Sequence, residues 1–286
     1  MTFQFRQINL QFTSANGETL NLEGLRCSAT IINPGGQSAF GQLQLKVYGM
    51  TLDQMNQYSS TGSNMVAVQN QSITVSAGNQ NSILRQIFSG TIISSFIDLN
   101  SLPDVSFTCA AVAGYYNKAA PAAANTYPGA QNAEDILASL TKQLGSNWTF
   151  NNINNAHAVL QNQYLSGSII DQMQAVARAA SFPLVIENNS VTIFPNNGTR
   201  DNVVVDISPE NGLVGYPSYW EAGFTIKSEF NPVITNGRIV NLTSSLPKAN
   251  GKFPVQNVTH EISTLTPDGP WFTTTQLSPS VYVPIN

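Results

Sequence analysis

Alternating apolar and polar residues predict β-strands through most of the first 110 positions of the chain. From Phe3 to Phe12 apolar side chains recur at nearly every second position, which is the period of a half-buried strand. A turn signal at 15–18 then predicts that 20–25 returns as the second strand of a hairpin. Further strands are predicted over 26–32, 43–48, 73–75, 87–97 and 105–109, with a short helix capped by Thr51 and turns or bulges at Gly78 and Gly90. The pattern indicates an antiparallel β domain over residues 1–110.

Residues 111–200 break this strand pattern and predict a linker followed by an α/β insertion domain. Ala, Pro and Gly dominate 119–124 and 127–129, and this composition favours an exposed connection. A strand is predicted at 148–150, and a hairpin at 184–194 turns at two consecutive asparagines.

Two amphipathic helices are predicted within the insertion. Asn132 is the expected N-cap of the first helix and Gly145 its stop. Ser168 and Asp171 form a variant of the capping box at the start of the second helix, which ends before Pro183. The apolar stripes are Ile136, Leu137, Leu140 and Leu144 in the first helix, and Ile169, Ile170, Met173, Val176, Ala177 and Ala180 in the second.

Beyond residue 200 the chain returns to strand patterns. Regularly spaced Pro and Gly separate short apolar runs, as is typical of a sandwich or barrel. Strands are predicted over 203–207, 224–228, 238–242, 255–262 and 271–277. The sequence therefore predicts a second β domain over residues 201–286.

The two β regions resemble each other weakly. The strand at 43–48 has a counterpart at 224–227. A strand at 92–96, followed by a Pro-Asp turn and an aromatic-bearing strand, has a counterpart that begins at 258–262, in the same order. Two interpretations remain open at this point: chance similarity between β-hairpins, or a duplicated domain split by the insertion.

The composition excludes several classes of protein. Hydrophobic residues make up 42% of the 286 positions and charged residues only 10%, so the chain lacks the charged heptads of a coiled coil. Abundant aromatic residues and a net charge of -4 argue against disorder, and 12 Lys and Arg against 16 acids argue against a basic nucleic-acid-binding face. No apolar run is long enough for a membrane span, and the N-terminus lacks a signal-peptide core, so synthesis and assembly in a cytosol are expected.

The cysteines and histidines indicate structural roles and no metal site. Cys27 and Cys109 stand in separate strand-like runs without metal-ligand spacing, so two buried thiols are expected. His157 lies in an Asn-rich stretch, and His260 lies in a strand where a structural hydrogen bond to its imidazole is expected. Neither histidine has a second ligand at metal spacing, so no metal site is predicted.

Enzymatic motifs are also lacking. Glu221, Glu229 and Asp268 lie near aromatic residues and are the candidates for glycan cleavage, but each has the context of an ordinary solvated acid. A Ser-His-Asp triad cannot be decided by counting residues, yet no Gly-x-Ser-x-Gly elbow supports one. No phosphate loop or dinucleotide fingerprint is present. We therefore expect no catalytic, cofactor-binding or metal-binding residues.

The order of the elements resembles the central baseplate hub proteins of long-tailed bacteriophages, the tail-hub or late-control family. No single motif is specific, and the resemblance lies in the sequence of elements over nearly the whole chain. The segments that carry it are 43–58, the Phe-Ser-Gly-Thr-Ile strand at 88–92, the helix openings at 133–137 and 165–168, and 255–262 followed by the Pro-Asp-Gly-Pro-Trp run at 267–271.

This resemblance implies two antiparallel β-barrel domains like those of tail-tube subunits, flanking a two-helix α/β insertion. It implies a homotrimer that joins the hexameric tail-tube ring to the trimeric central spike and contacts other baseplate or tape-measure proteins. Two equivalent barrels in each of three chains would match a six-fold ring. DNA would be only passing cargo in the channel, which a surface poor in Lys and Arg suits. The expected location is the virion tail baseplate, assembled in the bacterial host cytoplasm, without membrane insertion or enzymatic activity.

Two alternatives stay open at the level of sequence. One is a glycan-binding or peptidoglycan-cleaving tail protein that uses Trp148, Trp220 or Trp271 as stacking platforms. The other is a hexameric tail-tube or tail-completion protein, for which a single barrel per chain would be expected.

Overall fold

The structure is a computed structural model that describes residues 5–35, 40–60, 70–79, 83–100, 102–196 and 198–278. The start of the first predicted strand, at Phe3, lies outside these ranges. Within them the fold is mainly β, with antiparallel pairing in most sheets and few helices, as expected. In these residues no helix combines the length and apolar character needed to cross a membrane.

The described residues of the first region form seven strands and one short helix, close to the predicted elements. Thr51 caps the helix through a capping box with Gln54, which confirms the predicted cap. The elements are β1 (Arg6–Thr13), β2 (Thr19–Leu22), β3 (Cys27–Asn33), β4 (Gln42–Tyr48), α1 (Leu52–Tyr58), β5 (Ser72–Asn79), β6 (Arg85–Asp98) and β7 (Ser106–Val112).

The insertion contains the two predicted helices and two small sheets. Ser168 and Asp171 form the predicted capping box, whereas the Asn132 side chain makes no capping hydrogen bond. The elements are α2 (Tyr115–Ala119), β8 (Asn125–Asn132), α3 (Ala133–Leu144), β9 (Thr149–Asn151), β10 (Val159–Leu165), α4 (Ile169–Ala179), β11 (Leu184–Glu187) and β12 (Ser190–Ile193). Strands β8 and β10 form one sheet, and β11, β12 and β9 form the other.

One prediction for the insertion is wrong in part. Residues 120–124 lie outside helices and strands, as expected of a connection, but 127–129 lie within β8, which pairs with β10 on both sides of Pro128 and Gly129. Its side chains are nevertheless mostly exposed. The register shifts between Gln161 and Gln163, and the Asn162 side chain accepts a hydrogen bond from the Gly129 N–H. This irregularity accommodates the Pro-Gly pair that had indicated a loop.

The last region contains six strands. Five match the predicted strands, and the additional one is β14. The strands are β13 (Val204–Ile207), β14 (Leu213–Trp220), β15 (Gly223–Glu229), β16 (Ile239–Leu242), β17 (Gly251–Thr264) and β18 (Trp271–Leu277).

The strands of the two β regions join into one sheet. Its order is β14-β15-β18-β17-β3-β4-β7-β6-β5-β1-β2, with β16 and β13 branching from β17. The order is open, so the described residues close into no barrel, unlike the closed barrels expected from the sequence. The long strands β6 and β17 each bend from one layer into another: β6 pairs with β5 through Arg85–Thr91 and with β7 through Thr91–Asp98.

Gly90 lies at this bend in β6 rather than in a turn. A Cβ atom there would lie 2.6 Å from the Phe88 ring and 2.8 Å from the Val112 carbonyl. Because backbone cannot yield as a side chain can, only glycine allows this close approach where β6 changes partner.

The strand order repeats within the sheet. The series β3-β4-β7-β6 and β14-β15-β18-β17 each consist of two hairpins joined through their second strands. This correspondence matches β4 with β15 and β6 with β17, as the sequence similarity suggested, and it favours duplication over chance. The outermost strands differ, because β1 pairs antiparallel with β5 whereas β13 pairs parallel with β16.

The buried apolar residues form three clusters. The first fills the first β region and includes Phe12, whose ring centroid lies 5.1 Å from that of Tyr58. It also takes in Ile262 and Trp271 from the last region. The second lies between the helices and sheet of the insertion, and the third fills the last region.

Candidate assembly interface

Eight neighbouring strands of the large sheet present one face away from the hydrophobic cores. In sheet order they are β14, β15, β18, β17, β3, β4, β7 and β6. Along strands such as β3, β4 and β18 alternate side chains are buried, so the remaining ones share this outward face. Ser, Thr and Gln dominate it, for example Thr30 on β3, Gln44 on β4 and Thr274 on β18. A polar uncharged surface of this kind remains hydrated without presenting fixed charge.

The charged side chains on this outward face include Lys46, Lys227, Asp98, Glu229 and Glu261. Lys46 Nζ lies 3.5 Å from Asp98 Oδ2, and Lys227 Nζ lies 4.1 Å from the centroid of a neighbouring aromatic ring. A backbone N–H from the loop that follows β6 lowers the pKa of Asp98, and Lys46 lowers it further. Both lysines therefore have local partners.

Strand β14 forms one free edge of the eight strands, since it pairs only with β15 among the described residues. It contains no charged residue, although free edges are usually protected by charge. Tyr216 is 77% exposed and Tyr219 65% exposed. The Tyr219 ring packs on Phe224, 5.2 Å between centroids.

The last seven residues of β6, 92–98, form the opposite edge. They pair with β7 on one side. On the other side Ser60 covers the strand at one point: its N–H donates to the Ser95 carbonyl at 2.8 Å, and its Oγ accepts from the Ser95 N–H at 3.1 Å. Phe96 beside it is 54% exposed. Among the residues that the structure describes, this edge is therefore only partly covered.

The equivalent edge of the second repeat is already occupied within the chain. The last seven residues of β17, 258–264, pair antiparallel with β3 along its full length. The junction is buried, as shown by Ile31 and Val258, which are both inaccessible to solvent. The β17–β3 pairing thus joins, within one chain, two strand edges equivalent to the unpaired edges of β14 and β6.

His260 lies at this junction as a structural residue. Its Nδ1 is 3.0 Å from Thr273 Oγ1, its ring packs against Phe230, and burial lowers its pKa to about 4. Cys27 and Cys109 are both free and buried. Burial raises the pKa of both thiols, that of Cys109 to about 12. The expectations of a hydrogen-bonded histidine and two buried thiols are confirmed.

The candidate acids for glycan cleavage lie on separate turns and strand ends. Glu221 is in the connection between β14 and β15, Glu229 ends β15, and Asp268 is in the turn between β17 and β18. All three are exposed. The structure thus places each in the ordinary solvated environment that the sequence indicated.

The three tryptophans also lie apart. Trp148 is half-buried in the insertion, beside a cleft of about 160 Å³ lined by amide and hydroxyl side chains. Trp220 donates from Nε1 to the Leu277 carbonyl at 3.3 Å, at the end of β14. Trp271 is buried under Arg6 and packs against Phe230. No shared stacking platform is formed by these residues.

His157 has a partner that its sequence neighbours did not reveal. Its Nδ1 is hydrogen-bonded to the Glu134 carboxylate at the start of α3. Across the described ranges, no group of three or more His, Cys, Asp or Glu side chains could hold a metal ion.

Sequence reasoning missed strand β14, which is an end strand of the large sheet among the described residues. Gly215 and Pro217 interrupt its apolar pattern, and the pairing with β15 shifts register between Val214 and Ser218. The only available signal was the aromatic series Tyr216, Tyr219 and Trp220 within a short interval.

A family model described as "Baseplate hub gp41" matches residues 28–276 of the chain. The match covers most of both β regions and the entire insertion. No curated protein sequence matches significantly.

Solved structures of tail proteins have the same fold at low sequence identity. The tail protein from Neisseria meningitidis MC58 gives a TM-score of 0.65 at 8% identity, over 95% of this chain and 96% of that one. The 43 kDa tail protein of prophage MuSo2 from Shewanella oneidensis gives 0.61 at 9% identity, over 95% and 98%. The Escherichia coli c3393 protein gives 0.58 at 11% identity, over 91% and 76%; it is a type VI secretion component described as structurally similar to the phage T4 tail proteins gp27 and gp5.

Proposed function

Because the chain belongs to the baseplate hub gp41 family, we propose that it is a trimeric adaptor of a phage tail baseplate. In this role three copies form a ring that joins the hexameric tail tube to the trimeric central spike. The ring surrounds the channel through which DNA passes. The repeat of strand order within a single chain is the observation that carries this proposal.

Two tube-like β domains, at 1–110 and 201–286, flank the insertion at 111–200 in this proposal. The three separate hydrophobic clusters support that division. The matching order of β3-β4-β7-β6 and β14-β15-β18-β17 supports the equivalence of the two β domains. Three chains then supply six equivalent units, as contact with a six-fold ring requires.

The free edges suggest how the chains associate. Strand β14 corresponds to β3 in the repeat, and the end of β6 corresponds to the end of β17. The β17–β3 junction therefore serves as the template for pairing β14 of one chain with β6 of the next. This contact is head-to-tail, so a ring closes when the rotation per chain is one third of a turn. The two bonds that Ser60 makes to Ser95 are replaced by interchain bonds.

Closure of the ring would convert the open sheet into one continuous barrel. Each chain supplies eight strands, and the outward face rich in Ser, Thr and Gln then lines the channel. Few cations on this face means little attraction for phosphates, so DNA slides past instead of binding. DNA is accordingly cargo and not a ligand.

We also propose that the protein is a structural component of the virion. The protein resides in the virion, is assembled in the host cytoplasm without membrane insertion, and contacts other baseplate or tape-measure proteins. It is structural, with no catalytic, cofactor-binding or metal-binding residues. The separation of the three tryptophans and the solvated carboxylates do not favour the glycan-cleaving alternative.

Light scattering coupled to size-exclusion chromatography tests the trimer. The wild-type chain at tens of micromolar should elute with three times the monomer mass. Substitution of Tyr219→Lys places a charge on the β14 edge and should weaken the trimer about tenfold or more. Tyr164→Lys is the matched control, because Tyr164 is similarly exposed on strand β10 of the insertion. A monomeric wild-type chain would refute the proposal, as would equal effects of the two substitutions.

A further inference from the structure

A cleft of about 160 Å³ lies beside Trp148, where the insertion meets the first β region. Its floor consists of three hydroxyl side chains of the large sheet, Ser72 on β5 and Ser89 and Thr91 on β6. Ser89 and Thr91 are two residues apart and share one face of β6, and Ser72 is paired directly opposite Thr91. Because Ser72 and Thr91 are each paired with strands on both sides, the floor presents side-chain hydroxyls there and no backbone edge for an extended peptide.

The walls of the cleft come from the insertion and are tied to this floor. They comprise amide and aromatic side chains: Tyr116 and Asn117 on α2, Asn147 and Trp148 between α3 and β9, and Asn189 in the turn between β11 and β12. The Tyr116 N–H donates to Thr91 Oγ1 at 3.2 Å, and Ser89 Oγ donates to Asn189 Oδ1 at 3.2 Å. These two bonds join the floor to the walls, so the shape of the cleft is set before any ligand arrives.

The amides of the cleft have hydrogen-bonding groups to spare. Within the described part of the chain, the side chains of Asn70, Asn117 and Asn147 make no hydrogen bond to another residue. Each side-chain amide carries donor hydrogens and an acceptor oxygen. A sugar hydroxyl both donates and accepts, so neighbouring hydroxyls on one ring match such amides.

The lining also determines the charge of a ligand. None of the described residues that line the cleft is Lys, Arg, His, Asp or Glu. A phosphate or carboxylate would lose water here without gaining a cation, and a wholly apolar ligand would leave the amides unpaired. Leu144 and Trp148 add apolar surface, since both pack against the insertion's core and also line the cleft. The cleft therefore suits a neutral ligand that has hydroxyl groups and an apolar face.

The volume of the cleft limits the size of that ligand. At ~30 Å³ for each water molecule, the cleft holds the equivalent of about five waters. This space is comparable to one six-membered sugar ring with its hydroxyl groups. It is too small for a disaccharide or a nucleotide.

We propose that the cleft binds one neutral hexopyranose unit without cleaving it. The apolar face of the ring lies against Trp148, and the ring hydroxyls bond to the asparagine amides and to the hydroxyls of the floor. The described lining contains no carboxylic acid, so it offers no group to protonate or attack a glycosidic bond. All of this lining belongs to a single chain, so binding does not depend on the trimer proposed above.

The test titrates the full-length chain with the methyl glycosides of glucose, galactose and mannose, and saturation-transfer difference NMR measures the Kd. At least one glycoside should bind with a Kd of about 10 mM or tighter. The uronate glycoside of the same ring, in which a carboxylate replaces the C6 hydroxymethyl group, should bind about tenfold or more weakly because no cation lines the cleft. Sorbitol carries its hydroxyl groups on an open chain without a ring face, so it should give no signal at the same concentration.

Three variants test the residues of the cleft. Asn147→Ala and Asn117→Ala remove amides without breaking an existing hydrogen bond, and each should weaken binding about fivefold. Trp148→Ala should weaken binding more than about tenfold. Asn202→Ala is the matched control, because Asn202 is exposed in the last region and lies outside the cleft, and it should leave the Kd unchanged. Circular dichroism verifies that each variant folds, and the two asparagine variants decide the outcome if Trp148→Ala does not fold.

Several results would overturn the assignment. One is the absence of binding for all three glycosides at tens of millimolar. Others are equal affinity for the uronate or for sorbitol, which would mean that neither charge nor the ring face matters. Unchanged affinity in both asparagine variants, or an equal loss in Asn202→Ala, would place any binding outside this cleft.

Discussion

The burial of His260 predicts a specific loss of stability in mild acid. The imidazole is 2% exposed, and its Nδ1 bonds to Thr273. Burial lowers its pKa to about 4, from 6.5 in the unfolded chain. Between these two pH values the unfolded chain binds a proton that the folded chain excludes. The stability that the neutral ring confers is therefore fully present above pH 6.5 and is lost as the pH falls towards 4.

The size of the effect follows from linkage. For this shift, the free energy of unfolding should fall by about 2 kcal/mol between roughly pH 7 and pH 5 through His260 alone. Urea unfolding at several pH values and one protein concentration measures it. Carboxylates also titrate towards the acid end, so the useful quantity is the difference in pH dependence between wild type and His260→Gln. Glutamine can still bond to Thr273 but does not titrate.

Wild type measured at the same pH values and protein concentration is the reference for His260→Gln. If His260→Gln retains the full wild-type loss between neutral and mildly acid pH, the burial of a neutral imidazole is not the cause and the reasoning is wrong. Because only the pH dependence of the unfolding free energy is compared, a loss of stability that the substitution causes equally at every pH cancels out.

Two further predictions concern a helix cap in the insertion and an ion pair in the last region. Ser168→Ala removes the side-chain oxygen that accepts from the Asp171 N–H, and it should lower the free energy of unfolding by about 1 kcal/mol. Asn132→Ala, at a cap without such a bond, should lower it clearly less. Equal losses for the two variants in urea unfolding would show that capping is not responsible. Asp201→Asn weakens a half-buried two-oxygen contact with Arg238 and should cost about 2 kcal/mol. Asp104→Asn, at an exposed pair, should cost less than about 1 kcal/mol in the same assay, and the reverse order would contradict the burial argument.

The elements that could be predicted from the sequence are those specified by local signals. Helix α4 begins at the predicted Ser168 cap and carries the predicted apolar stripe, and β18 spans the predicted 271–277. Strand β8 was missed because Pro128 and Gly129 resemble a turn. These two residues lie at the irregularity in its pairing with β10, where Gly129 has a φ of +72°, and the strand continues on both sides of them. Its conformation depends on residues 27 to 40 positions away.

The assembly surfaces could be predicted only in part, for a related reason. The repeat was detectable in 43–48 and 224–227, because corresponding strands keep similar patterns. The pairing of β17 with β3 joins residues more than 200 positions apart, and periodicity contains no information about such partners. Which edges remain free follows from that pairing, so it could not be read from the sequence either.

The β17–β3 junction has a mechanical consequence for the proposed ring. Three of its six joints lie inside a chain, where seven consecutive residue pairs cross a buried contact. The other three lie between chains and can separate without unfolding anything. A ring built this way can dilate or come apart only at every second joint. Its softest deformation is therefore three-lobed, even though its rim offers six points of attachment.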